Sequence, residues 1–188
     1  MKNIILITLM AIFTTTALAQ NNAEDPDLQY GTELLKSGTP APDFSLNDIS
    51  GKPIKMSALR GRQVVLTFWA SWCPDCRAEV PLLKDMEAAS DPRRIVFVSV
   101  SFDRTFEAFK TYANEQNMGG ILLYDPAGKK DSSVGAAYHI KWIPSLYLID
   151  AEGKVVLGTV VADKIAKAIG YGETESAGGV CGEEGCTR

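Results

Sequence analysis

Two cysteines separated by a proline and an aspartate, Cys73-Pro74-Asp75-Cys76, are the residues of this chain best placed to do chemistry. A pair at this spacing either cycles between dithiol and disulfide or supplies half of a zinc site. The flanking sequence weighs between the two. Residues 64–70 form a β-branched and aromatic run of the kind that builds a buried central strand, and residues 77–90 are rich in helix formers. Cys73 therefore falls where a strand ends and a helix begins. The uncommitted N–H groups and positive dipole end of that helix favour the thiolate, the form that attacks disulfides. This position is expected to expose and activate the Cys73 sulfur, with Cys76 one helical turn on to resolve the mixed disulfide. Pro74, in the first turn, gives up no hydrogen bond. A zinc site would have to recruit Cys181 and Cys186 from the far end of the chain, closing a long loop in a compartment that oxidises thiols. Neither a metal nor any other cofactor is expected.

The compartment follows from the N-terminus. Lys2, an apolar stretch softened by threonines and Ala17-Leu18-Ala19 have the layout of a cleavable signal peptide, with Gln20 as the new first residue. The stretch is short for a retained membrane anchor, which needs ~20 apolar residues, so no strong membrane association is expected after cleavage. The chain of 188 residues carries a net charge of −4, and losing Lys2 makes the excess of acid larger. That balance argues against nucleic acid as a partner. The expected organisation is a signal peptide at 1–19, a flexible lead-in at 20–37, one domain at 38–170 and a Gly/Glu-rich tail at 171–188. The tail carries Cys181 and Cys186, whose two neighbouring glycines ease closure of a small local disulfide ring. Redox exchange with Cys73 is the competing role for them.

The elements that must position the pair can be read along the chain. Proline-rich residues 38–42 are extended, with one helical turn before them at Leu34-Leu35. Residues 44–46 and 53–56 alternate across a turn and read as a β-hairpin, followed by a short helical turn at 57–59. After the strand and helix that bracket the cysteines come a strand at 95–100, a helix at 105–114 and a strand at 121–124. A helix at 133–138, a hairpin of strands at 145–149 and 154–159 and a closing helix at 161–169 complete the pattern. Strands alternating with helices, then a terminal hairpin and helix, specify an α/β domain with a mixed sheet covered by helices.

Three blocks of sequence, 38–53, 59–81 and 143–154, resemble the TlpA/ResA branch of the thioredoxin superfamily, bacterial thiol–disulfide proteins of the periplasm or membrane surface. The resemblance implies a thioredoxin fold with an N-terminal β-hairpin extension and a helix-bearing insertion around residues 105–123. By matching position, Pro144 resembles the family's cis-proline beside the cysteines, and Pro81 the proline that kinks the active-site helix. Glu79 resembles an acid kept near the cysteines, able to take the proton of Cys76. It reads equally as a solvated helix charge near Arg77 or Lys84. Thioredoxin itself places a buried aspartate where this chain has Thr67, which cannot act as a base, so an internal proton acceptor falls to Glu79 or water. Asp75 adds negative charge beside the sulfurs and should keep the couple from being strongly oxidising.

Of the tryptophans, Trp72 can shield the sulfur and meet partners, Trp69 reads as core, and Trp142 either lines the groove by Pro144 or packs on the hairpin. His139, the single histidine, reads as a helix-end or surface residue. The functional expectation is an exported reductase of protein disulfides, fed by a membrane thiol donor, for example in cytochrome c maturation. A disulfide oxidase or isomerase, and a thiol module that binds metal, are the alternatives. The proline-threonine-cysteine spacing of peroxiredoxins is absent around Cys73.

Overall fold

Residues 25–172 are described by the computed structural model; the signal segment 1–19 and the tail cysteines Cys181 and Cys186 lie outside them. The run Gln63–Trp69 forms β3, and from its second residue onward every side chain is buried. Such a strand needs neighbours on both sides and cover on both faces. It receives β4 (Ile95–Ser101), parallel, on one side and β6 (Ser145–Ile149), antiparallel, on the other. β5 (Ile121–Tyr124) extends the parallel half, with the hairpin of β1 (Ser45–Asp48) and β2 (Pro53–Lys55) beyond it. β7 (Val155–Thr159) closes the opposite edge. The seven-stranded sheet thus runs β2-β1-β5-β4-β3-β6-β7. It is the mixed sheet with N-terminal hairpin expected from the sequence.

Helix α2 (Pro74–Ala89) and helix α6 (Ala162–Ala168) lie on one face. Val65, Leu146 and Leu148 of the sheet meet Met86 of α2 and Ile165 of α6 there, all fully buried or nearly so. The other face carries Leu66, Phe68 and Val100 against Tyr138 and Tyr147. Helix α3 (Phe106–Glu115), capped by the Thr105 hydroxyl on the Ala108 N–H, fills the stretch between β4 and β5. Two short helices follow, α4 (Gly128–Asp131), which the sequence pattern does not disclose, and α5 (Ser133–Ala137). Gly120 is at φ +70°, and a Cβ there would stand 2.6 Å from the Phe97 carbonyl oxygen, so only glycine fits the entry to β5.

In the described part of the segment before the domain, residues 25–37, the helical turn lies elsewhere than expected. Residues 20–37 read as a flexible lead-in with a helical turn at Leu34-Leu35. The helix instead lies at Pro26–Tyr30, here α1, and Leu34 sits in a bend with its side chain in the core. Asp25 caps α1 by accepting from the Asp27 N–H, and Pro26 takes the first helical position. The Asp27 carboxylate then accepts from the Thr159 hydroxyl, the Val160 N–H and the Lys164 ammonium, and Asp25 also pairs with Lys164. Farther on, the Leu35 N–H donates to the hydroxyl of Tyr147. Acidic composition suggests a solvated segment, but these acids have specific donors supplied by β7 and α6.

Candidate active site

Cys73 is the N-cap of α2, with extended backbone (φ −87°, ψ 114°), and its sulfur accepts from the Cys76 N–H at 3.2 Å. That bond is the local form of the helix-terminus effect, since an N–H without a helical partner points at the sulfur. Cys73 and Cys76 are joined in a disulfide. Against the expectation of an exposed nucleophile, Cys73 is only 4 % exposed, close to the 2 % of Cys76. Trp69, Phe109 and Leu122 pack around the pair. The Cys73 sulfur also lies 3.5 Å from the carbonyl oxygen of Ile143. Ile143–Pro144 is a cis peptide bond, and the contact of the Ile143 carbonyl with the Cys73 sulfur puts Pro144 next in sequence to a residue that touches the pair.

One turn along α2, Glu79 is half-buried. Burial raises its pKa above the ordinary carboxylate value, and the nearby charges of Asp163 and Asp75 push the same way. A hydrogen bond from the Ala162 N–H, 3.4 Å away, opposes them. Glu79, Asp75, Trp142 and Pro144 line one cavity of about 440 Å³. None of the described ion pairs joins Glu79 to Arg77 or Lys84; Lys84 instead donates to the Gln116 carbonyl. Trp142 is therefore groove-lining rather than packed on the hairpin, and it stays exposed, as does Trp72 beside Cys73.

Comparison with known proteins agrees with this arrangement. The AhpC/TSA family profile matches residues 37–157. The ResA thiol–disulfide oxidoreductase of Bacillus subtilis is 31 % identical over 126 residues, 67 % of this chain and 68 % of its own. The chain belongs to the AhpC/TSA family. Within it, the chain is a thiol–disulfide oxidoreductase, as its relatives and structural neighbours are. The thioredoxin domain of a Bacteroides vulgatus thiol–disulfide oxidoreductase superposes with a TM-score of 0.66 at 27 % identity, covering 72 % of this chain and 96 % of that domain. A Chlorobium tepidum protein described as a candidate thiol:disulfide interchange protein DsbE gives a TM-score of 0.64 at 33 % identity. It covers 72 % of this chain and 94 % of its own. These likenesses carry the thioredoxin fold, and the AhpC/TSA description alone would not have separated the thiol–disulfide branch from others.

Relative to the sequence, the structure gathers Trp72, Cys73, Cys76, Glu79 and Pro144 at one end of the sheet. Thr67 is buried in β3 and offers no acid. His139 stands apart, at φ +56° just past α5, its ring nitrogen 3.1 Å from the Glu33 carbonyl. Two features escaped the sequence. The first is the Ile143 carbonyl, a backbone atom that no side-chain pattern announces. The second is Asp103, only 1 % exposed, which accepts from the Ser71 N–H and hydroxyl and from the Ser101 hydroxyl. This fixes the loop from β3 to Cys73 onto the end of β4. An aspartate following a buried apolar strand was the available signal.

Among the described residues no three His, Cys, Asp or Glu side chains cluster as a metal site.

Proposed function

We propose that this oxidoreductase works as an exported reductase of protein disulfides, with Cys73 as nucleophile and Cys76 as resolving thiol. The observation that carries the reading is the Cys73 sulfur at the N-terminus of α2, bonded by the Cys76 N–H and flanked by the Ile143 carbonyl. In the dithiol form the Cys73 thiolate attacks one sulfur of a substrate disulfide. The substrate S–S bond breaks, one substrate thiolate leaves, and a Cys73–substrate disulfide forms. Cys76 then gives up its proton and attacks the Cys73 sulfur, which releases the second substrate thiolate. The substrate has gained two electrons and the enzyme ends as its Cys73–Cys76 disulfide. Glu79 is the proton acceptor for Cys76, because burial gives it a higher proton affinity than a solvated carboxylate and Thr67 leaves no other acid in its place.

A membrane thiol donor would return the enzyme to the dithiol state. The signal-peptide layout of residues 1–19 supports export to the periplasm, and none of the described helices is long and apolar enough to cross a membrane. The resemblance to the TlpA/ResA branch makes a cysteine pair of an apocytochrome c, or of another metalloprotein, the natural substrate class.

Single-cysteine variants test the assignment. Cys73→Ser should abolish insulin reduction, and Cys76→Ser should accumulate a mixed disulfide through Cys73. Wild-type turnover by the Cys73 variant would overturn the roles.

A further inference from the structure

Helix α1 has no buried residue of its own, yet it sits against the active-site groove. Pro26 and Tyr30 line the same cavity as Glu79, Trp142 and Pro144, and the Tyr30 ring meets the Trp142 ring edge-on at 5.2 Å between centroids. A five-residue helix cannot hold itself in place. What holds it is the Asp27 carboxylate, which accepts from the Val160 N–H at 2.7 Å, from the Thr159 hydroxyl at 2.8 Å and from Lys164 at 2.6 Å. An exposed loop needs no such anchorage.

We propose that α1 is a specificity wall of the substrate groove, and that the groove takes the apolar side chain of a polypeptide residue next to the substrate's disulfide cysteine. The inference rests on the reductase reading above and names what that site selects. Ile143 links the two places, because its carbonyl touches the Cys73 sulfur while the residue itself lines the cavity. A substrate sulfur brought to Cys73 therefore sets its neighbouring residue at the mouth of the cavity. The volume of about 440 Å³ falls within the ~300–1,000 Å³ of ligand clefts. Tyr30, Trp142, Val160 and Val161 give it an apolar lining, and its two charged lining residues, Asp75 and Glu79, are both acids. An acidic side chain would be repelled there, whereas an apolar one gains burial against two aromatic rings of the type that dominates binding hot spots.

Two cyclic disulfide peptides, identical except for Leu or Asp beside the first cysteine, test the wall, with hydroxyethyl disulfide as a substrate too small to need it. Wild type should show a KM about tenfold lower for the Leu peptide. Tyr30→Ala should bring the two KM values to within about twofold, through loss of the Leu peptide's advantage. Asp27→Ala, which frees α1, should do the same while its rate on hydroxyethyl disulfide stays at the wild-type level. A KM ratio unchanged in both variants overturns the wall, and so does a lower KM for the Leu peptide, which would make α1 an obstruction. A wild type inactive on both peptides and on hydroxyethyl disulfide would instead overturn the reductase reading itself.

Discussion

Glu79 of α2 accepts a hydrogen bond from the Ala162 N–H at the first residue of α6, at 3.4 Å. A free N–H at a helix start ordinarily favours the carboxylate, but this one is long, and burial outweighs it, so the Glu79 pKa lies above its ordinary 4.5. The half-buried carboxyl thereby holds its proton to higher pH than a fully solvated carboxylate would.

For Glu79→Gln we expect resolution by Cys76 to slow about 10²-fold, with the Cys76 titration moving more than that of Cys73. Stopped-flow decay of the mixed disulfide against pH measures it, and unchanged thiol titrations would return Glu79 to a purely structural role. The same substitution has a stability signature. Because the folded pKa is raised, Glu79 contributes stability that is fully present below pH 4.5 and lost as pH rises through the folded value. The Gln variant should gain on wild type across that window in chemical denaturation, and a constant difference from acid to neutral pH would contradict it.

The reduction potential should lie nearer the reducing thioredoxin end, ~−270 mV, than the strong-oxidant end, ~−120 mV. Asp75, exposed in the first turn of α2, opposes the thiolate, while the Cys76 N–H on the Cys73 sulfur favours it. Asp75→Asn should move the couple toward oxidising by no more than ~30 mV, since solvent screens an exposed charge. Glutathione equilibration reads both values. A wild-type potential near the oxidant end would turn the proposed reductase into a disulfide-forming enzyme.

Asp103→Ala should lower the unfolding free energy by roughly 2–4 kcal/mol, because it strands donors of Ser71 and Ser101 in a buried site. Ser71 lies two residues before Cys73, so disulfide exchange should slow as the loop loosens. Asp103→Asn, which keeps an oxygen acceptor, should restore most of both. Urea denaturation and insulin reduction measured on the same preparations check the pairing of effects, and an Ala variant as stable as wild type would remove Asp103 from the support of the loop.

The sequence by itself determined the local features. Residues 64–70 could only satisfy their apolar side chains as an interior strand, and the cysteine motif at its end carried its helix start in Pro74. The hairpins at β1–β2 and β6–β7 were legible through alternation and turn residues, and Pro144 through its family context. What tertiary structure alone decided is where polar groups found partners across long separations. Asp27 reads as one more acid in an acidic lead-in until β7 and α6 bring Thr159, Val160 and Lys164 to it. Cys73 reads as an exposed nucleophile until Trp69, Phe109 and Leu122 close around the pair. Period and propensity report which face of an element is apolar, but burial and hydrogen bonding depend on what the rest of the chain places opposite, and that becomes fixed only when the sheet is assembled.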